Sequence, residues 1–145
     1  MSTVHKILEK KGKELFSVPS SVTVYDALKE MAQRNIGAII VMDGNVFKGL
    51  FTERDYARKV ILRDRTSRDT FLHEVLDEDY FTVTTSTPIN HCMNLITDHS
   101  IRYLPVLEDG EFIGLISVGD VVQYIIEDQQ YTLHQMESYI SDSRG

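Results

Sequence analysis

The sequence predicts an α/β (α+β) chain, a tandem pair of β-α-β-β-α repeats packed on each other. Three observations predict it. The chain matches itself at a fixed offset, which signals a repeat architecture: residues 16–61 align with 81–126 without a gap. Identical pairs are Phe16/Phe81, Val18/Val83, Ser21/Ser86, Ile36/Ile101, Val41/Val106, Phe47/Phe112, Gly49/Gly114, Leu50/Leu115 and Asp55/Asp120, and Thr52/Ser117, Val60/Ile125 and Ile61/Ile126 match in chemistry. Apolar runs and turn residues also follow one order in both copies. Finally, a unit of roughly 46 residues buries too little surface to be stable alone, so each copy needs a partner.

Within each copy the elements follow from local pattern. Phe16-Ser17-Val18 and Phe81-Thr82-Val83 are short extended lead-ins. Helices are expected near 24–34 and 88–98, the first with Ala27, Leu28, Met31 and Ala32 on one face. Pro88 suits the first turn of the second helix, with Thr87 before it as N-cap. Ala38-Ile39-Ile40-Val41-Met42 and Leu104-Pro105-Val106-Leu107 are short, apolar and β-branched, hence buried strands. Asp43-Gly44 and Asp109-Gly110 supply turns. Second strands run to Gly49-Leu50-Phe51 and Gly114-Leu115-Ile116. Last helices carry Tyr56, Ala57, Val60 and Ile61, or Val121, Val122, Ile125 and Ile126.

Outside the repeats, Val4 to Lys11 reads as a leading helix. Phe71, Leu72, Val75 and Leu76 give the polar connector a short helix. The last residues form an amphipathic helix with Leu133, Met136 and Ile140 on its apolar side. The expected division is 1–15 for the N-terminal helix and lead-in, 16–62 for the first repeat and 63–80 for the linker. The second repeat is 81–127, and the C-terminal helix or tail is 128–145.

Composition narrows the function. With 42% hydrophobic and 26% charged residues the chain is globular rather than disordered. A net charge of −7 opposes both nucleic-acid binding and a polybasic membrane contact. No apolar run approaches the ~20 residues that span a bilayer, and the N-terminus lacks a signal-peptide pattern. The single cysteine, Cys92, excludes an internal disulfide and a Cys-rich zinc site, so a reducing, cytoplasmic compartment is expected. Cys92 aligns with Ala27 on a buried helix face and reads as a small core residue. The histidines lack metal-ligand spacing, no metal is expected, and no nucleophile, base and orienting group stand together.

The sharpest signal occurs twice, where the last strand meets the last helix: Gly49-Leu50-Phe51-Thr52-Glu53-Arg54-Asp55 and Gly114-Leu115-Ile116-Ser117-Val118-Gly119-Asp120. A helix N-terminus offers unpaired N–H groups and positive dipole charge to a phosphate. A hydroxyl before it adds a donor, and a carboxylate three residues on can accept both hydroxyls of a ribose. Ser/Thr-x-x-Asp is equally a helix capping box, and the two roles coexist. Residues 54–68 hold six basic side chains, Arg54, Arg58, Lys59, Arg63, Arg65 and Arg68, against two acidic ones. They suit either an anion or a solvated face balanced by Asp77-Glu78-Asp79.

These junctions, the Ile101-Arg102-Tyr103-Leu104-Pro105-Val106 strand and the two-copy layout resemble the cystathionine-β-synthase-type (CBS) domain pair of the small stand-alone kind, over about residues 12–128. The resemblance implies pseudo-twofold packing and two clefts. Cleft A would join Ser117 and Asp120 to Val18, Ile36, Gly37 and Ala38. Cleft B would join Thr52, Arg54, Asp55 and Arg58 to Val83, Ile101, Arg102 and Tyr103. Gly37 and Ala38 leave room for a purine in cleft A, whereas Arg102 and Tyr103 either crowd or stack on a base. Cleft A has Gly119 and Gln123 where cleft B has Arg54 and Arg58, so its cations must come from elsewhere.

The implied function is a regulatory sensor of an adenosine nucleotide, not an enzyme. AMP or NAD leads, with ATP and S-adenosylmethionine as further options. The implied assembly is a homodimer serving an unidentified regulated protein. The alternative is a structural dimerisation module without a physiological nucleotide.

Overall fold

The computed structural model of the chain describes residues 2–12, 15–77 and 79–144, and the chain divides into two compact units. The first-repeat unit is Lys13–Tyr80 with Glu108–Phe112, and the second-repeat unit is Met1–Gly12, Phe81–Leu107 and Ile113–Gly145. In chain order the elements are α1 (Val4–Lys11), β1 (Ser17–Val18), α2 (Val24–Arg34), β2 (Ala38–Asp43), β3 (Val46–Thr52) and α3 (Glu53–Asp55), then α4 (Ile89–His99), β4 (Tyr103–Glu108), β5 (Glu111–Ser117) and α5 (Val118–Arg144).

In the first-repeat unit the sheet order is β1-β2-β3. The lead-in strand β1 runs parallel to β2, pairing Val18 with Val41. β2 and β3 form an antiparallel hairpin that pairs Ala38 with Thr52 and Val41 with Gly49. Met42 then pairs with Phe47, so Lys48 is bulged out of the ladder. β2 is buried from Ala38 to Val41, as its unbroken apolar run requires. Val24, Ala27 and Met31 turn one face of α2 onto Ile39, Val41 and Phe51. Leu28 is only half-buried and Ala32 is exposed, so the buried stripe is narrower than the sequence pattern implied. Thr23 caps α2 by accepting from the Asp26 N–H at 3.1 Å. Asn35, left-handed at φ 55°, ends it, a conformation asparagine tolerates better than most residues.

The hairpin turn is Gly44-Asn45, one residue later than the sequence reading. Those positions align with Asp109-Gly110, which does turn the second hairpin with both φ angles positive. Asp43 instead ends β2. Its carboxylate accepts from the Ser20 hydroxyl at 2.6 Å and the Ser20 N–H at 2.9 Å, and these two bonds hold its pKa below the ordinary carboxylate value.

The connector is part of this unit's core. Its expected helix is two 3₁₀ turns, Ser67–Asp69 and Leu72–Glu74, and buried Leu72 and Val75 pack with Val24 and Val60. Phe71 bridges Thr23, and the Leu72 N–H donates to the Val22 carbonyl. After α3 the chain widens into a π turn, Tyr56–Val60, and closes through 3₁₀ Ile61–Arg63 with Asp64 left-handed. The last helix expected in the first repeat is therefore present from Glu53 to Arg63, but as an irregular run of α, π and 3₁₀ turns.

In the second-repeat unit α1 does for Pro88 what the connector does for Thr23. Thr3 bridges Pro88, the Val4 N–H donates to the Thr87 carbonyl, and Val4 and Ile7 join the core of Val83, Ile89, Cys92, Ile96, Leu104, Val106, Ile116 and Val121. The Tyr124 hydroxyl donates to Ser2 Oγ at 2.9 Å. The lead-in reduces to one parallel bridge, Val83 to Val106. Pro88, not Thr87, is the N-cap of α4, and the Thr87 hydroxyl accepts from the Thr84 N–H instead. The last repeat helix and the trailing helix are one uninterrupted α5 of 27 residues. No glycine or proline after Gly119 breaks its run. Among the described residues no helix is long and apolar enough to cross a membrane.

Candidate functional site

Each strand-to-helix junction is a capping box. Thr52 Oγ1 accepts from the Asp55 N–H at 3.0 Å, and Asp55 Oδ2 accepts from the Thr52 N–H at 2.9 Å. In the second copy Ser117 Oγ accepts from the Asp120 N–H at 3.1 Å, and Asp120 Oδ2 accepts from the Ser117 N–H at 2.8 Å. The hairpins add a further cap. The Glu53 N–H donates to the Gly37 carbonyl at 3.2 Å, and the Val118 N–H to the Arg102 carbonyl at 2.9 Å. The amides between these caps, Arg54 and Gly119, are engaged by neither. Each junction thus presents an N–H, a hydroxyl and a half-buried carboxylate on the first turn of a helix, where the dipole favours an anion.

Antiparallel pairing places each strand start beside its own repeat's junction. Ile36, Gly37 and buried Ala38 stand with Thr52 and Asp55, while Ile101, exposed Arg102 and half-buried Tyr103 stand with Ser117 and Asp120. Val18 and Val83 are buried against Val41 and Val106. Arg54 and Arg58, expected beside a phosphate, are exposed, and among the described residues neither is in an ion pair. Other cations of that basic stretch are engaged within their own unit. Arg65 pairs with Glu74 at 2.8 Å, and Arg68 lies over the Tyr25 ring at 4.0 Å. Of the acidic run read as their counterweight, Glu78 lies outside the described residues.

Two lysines that the sequence reading left unassigned flank the carboxylates. Lys59 Nζ is 3.4 Å from Asp55 Oδ1 and is drawn off by Asp77 at 2.6 Å and the Val75 carbonyl at 3.2 Å. Lys11, the last residue of α1, donates to Asp120 Oδ2 and to the Leu115 carbonyl, both at 2.8 Å. Burial alone would raise the Asp120 pKa. The Lys11 ammonium and the Ser117 N–H outweigh it and hold the carboxyl below its ordinary value. Beside this pair lies a cavity of about 170 Å³, lined by Lys10, Lys11, Asp120, Tyr124 and Glu127 among others. Spacing gave one usable hint, Lys59 at i+4 from Asp55. Lys11 and Asp120 are 109 positions apart, so no local pattern joins them.

Tyr80 also escaped the sequence reading. Its hydroxyl accepts from the Leu50 N–H at 3.1 Å and donates to the Leu50 carbonyl at 3.3 Å, and burial pushes its pKa up. It holds β3 one turn before the junction. Cys92 is fully buried and its thiol pKa is raised by burial, the behaviour of a core residue rather than a nucleophile.

Comparison with known proteins gives the family and the fold. The CBS domain family model matches residues 11–62 and 72–127. The chain is 35% identical over 148 residues to the CBS domain-containing protein CBSX3, mitochondrial, of Arabidopsis thaliana, covering 96% of this chain and 72% of that protein. It is similar to the structure of a CBS-domain protein from Burkholderia ambifaria MC40-6, at 44% identity and a TM-score of 0.82 over 88% of this chain and 96% of that one. The CBS domain pair of protein MJ0100, solved with 5′-methylthioadenosine and S-adenosyl-L-methionine, shares the fold at 19% identity and a TM-score of 0.76, over 88% of this chain and 98% of that one.

Proposed function

The chain belongs to the CBS-domain family, whose domain pairs are regulatory ligand-binding modules, and from that premise we propose that it senses an adenosine nucleotide, with AMP or NAD as the leading ligands. The observation that carries this reading is the doubled junction: hydroxyl, open amide and partly exposed carboxylate at the start of a helix, each with an ammonium nearby. Asp55 and Asp120 are the ribose anchors, Thr52 and Ser117 approach phosphate, and Gly37-Ala38 and Arg102-Tyr103 supply the base wall. An adenosine ligand on a protein of the same fold supports the class. The module transmits by differential affinity, since only a ligand that prefers one arrangement of the protein can shift it. No catalytic role is assigned to any residue.

Isothermal titration of the purified protein with AMP, NAD, ATP and S-adenosylmethionine tests this. Saturable binding is expected for at least one, and absence of binding at millimolar concentration removes the proposal. A structural module without a physiological nucleotide is the second reading. It is favoured by one observation, that in both junctions the hydroxyl and the carboxylate each already accept the other residue's backbone N–H as caps.

We also propose that the chain is a homodimer. The part of α5 beyond Glu127 exposes Leu133, Met136, Tyr139 and Ile140 along one side, Tyr139 at 76%, a stripe of the kind that marks an interface. Light scattering is expected to give twice the chain mass, and a solution containing only the single-chain species excludes it.

A further inference from the structure

The Asp120 carboxylate already has an occupant. Lys11 places its ammonium 2.8 Å from Oδ2 and 2.8 Å from the Leu115 carbonyl, on the side of the junction that opens to the cavity beside α1 and α5. The position is built rather than incidental. Val4 and Ile7 are buried in the unit's core. The Val4 and His5 amides bond the Thr87 and Thr85 carbonyls at 3.0 Å each, and Lys10 pairs with Glu127 one turn along α5 from Gln123. Gly12, at φ 84°, then ends α1 directly after Lys11. The side chain itself is partly exposed, 42% for Lys11 against 28% for Asp120, and its four-carbon stem is flexible.

An ammonium and a ribose diol compete for the same acceptor. A ribose diol that engages both oxygens of Asp120 displaces Lys11 from Oδ2, which also accepts the Ser117 N–H, so the ammonium loses its short bond although the carboxylate keeps its charge. A neutral nucleoside offers nothing in return. A ligand with a phosphate does, because the freed ammonium can move onto the phosphate oxygens with a charge-assisted bond. The first-repeat unit lacks this device, because Lys59 is held by Asp77 at 2.6 Å and stands 3.4 Å from Asp55.

We propose that Lys11 is a charge-selecting residue, an internal occupant of Asp120 that makes the second-repeat junction prefer phosphorylated nucleosides over neutral ones. It rests on the nucleotide reading above and adds to it which residue reads the ligand's charge.

The test compares AMP and adenosine on wild-type protein, Lys11→Met and Lys11→Arg by isothermal titration. Methionine keeps the stem and removes the charge. In Lys11→Met adenosine is expected to bind more tightly and AMP more weakly. Each change should be about twofold to fivefold, the scale of a partly exposed charge contact. The AMP-over-adenosine preference therefore falls about fourfold to twenty-fivefold, and Lys11→Arg retains it. A preference unchanged in Lys11→Met overturns the charge-selecting role while leaving nucleotide binding in place; wild-type protein that binds neither AMP nor adenosine also overturns that role, and the nucleotide reading falls with it when NAD, ATP and S-adenosylmethionine fail to bind as well. A readout without ligand is the Asp120 carboxyl titration followed by NMR, which is expected to move up in Lys11→Met. A carboxyl that does not move shows the ion pair to be absent in solution and also overturns the proposal.

Discussion

Gly49→Ala is expected to destabilise the protein by roughly 3 kcal/mol, combining a backbone forced out of its favoured region with overpacking. Gly49 sits at φ 147°, which side-chain-bearing residues rarely adopt. A Cβ there would lie 2.5 Å from the Tyr80 hydroxyl oxygen and 3.0 Å from its ring. Tyr80 cannot simply swing away, because its hydroxyl spans the N–H and carbonyl of Leu50. Urea melts measure the loss. Gly44→Ala is the control: Gly44 also has a positive φ but its Cβ would meet nothing within 4 Å, so only the left-handed cost of roughly 1 kcal/mol applies. Equal losses at the two glycines would refute the Tyr80 contact as the cause. In a double-mutant cycle, Tyr80→Ala should recover part of the Gly49→Ala loss.

Asp55→Asn and Asp120→Asn carry the second large effect. At the third helical position an amide oxygen can accept the N-cap N–H as the carboxylate oxygen does, so each variant should stay within about 1 kcal/mol of wild-type stability. An amide, however, replaces one acceptor oxygen with a donor and removes the charge, and bonds to charged groups contribute about 1.5–3 kcal/mol. Adenosine-nucleotide affinity is therefore expected to fall on the order of tenfold to a hundredfold at whichever junction is occupied, read by isothermal titration. The double variant should abolish measurable binding. Unchanged affinity in the double variant would leave the junctions as caps alone.

What the sequence disclosed was whatever repeats or is local. The hairpins, the helix faces and both capping boxes follow from spacing within a few residues. The repeat alignment also contained the correct first turn, since Gly44-Asn45 aligns with Asp109-Gly110, but a preference for Asp-Gly masked it. What stayed hidden depends on partners far apart in the chain or on breaks in the repeat. Lys11 reaches Asp120 only because α1 docks beside α4 and α5. Tyr80 reaches Leu50 through the returning connector. The aligned glycines Gly49 and Gly114 face different neighbours, Tyr80 and the Leu8 side chain, so equivalence in sequence did not carry over to equivalence of environment. The end of the second repeat likewise marks no end of its helix, because helical continuity depends on local backbone preference and not on the period of the repeat.

The length of α5 has its own thermodynamic meaning. Its residues 128–144 span about 25 Å at 1.5 Å per residue, beyond the Lys10–Glu127 pair that fastens α5 to α1. Residues 128–140 are all exposed, whereas most helical stability in proteins comes from packing an apolar face. Whatever surface comes to cover Leu133 and Met136 therefore supplies the cohesion that keeps these turns wound. In the proposed homodimer, coiling of the tail and encounter with a second molecule become a single linked equilibrium, in which dilution unwinds the one as it undoes the other.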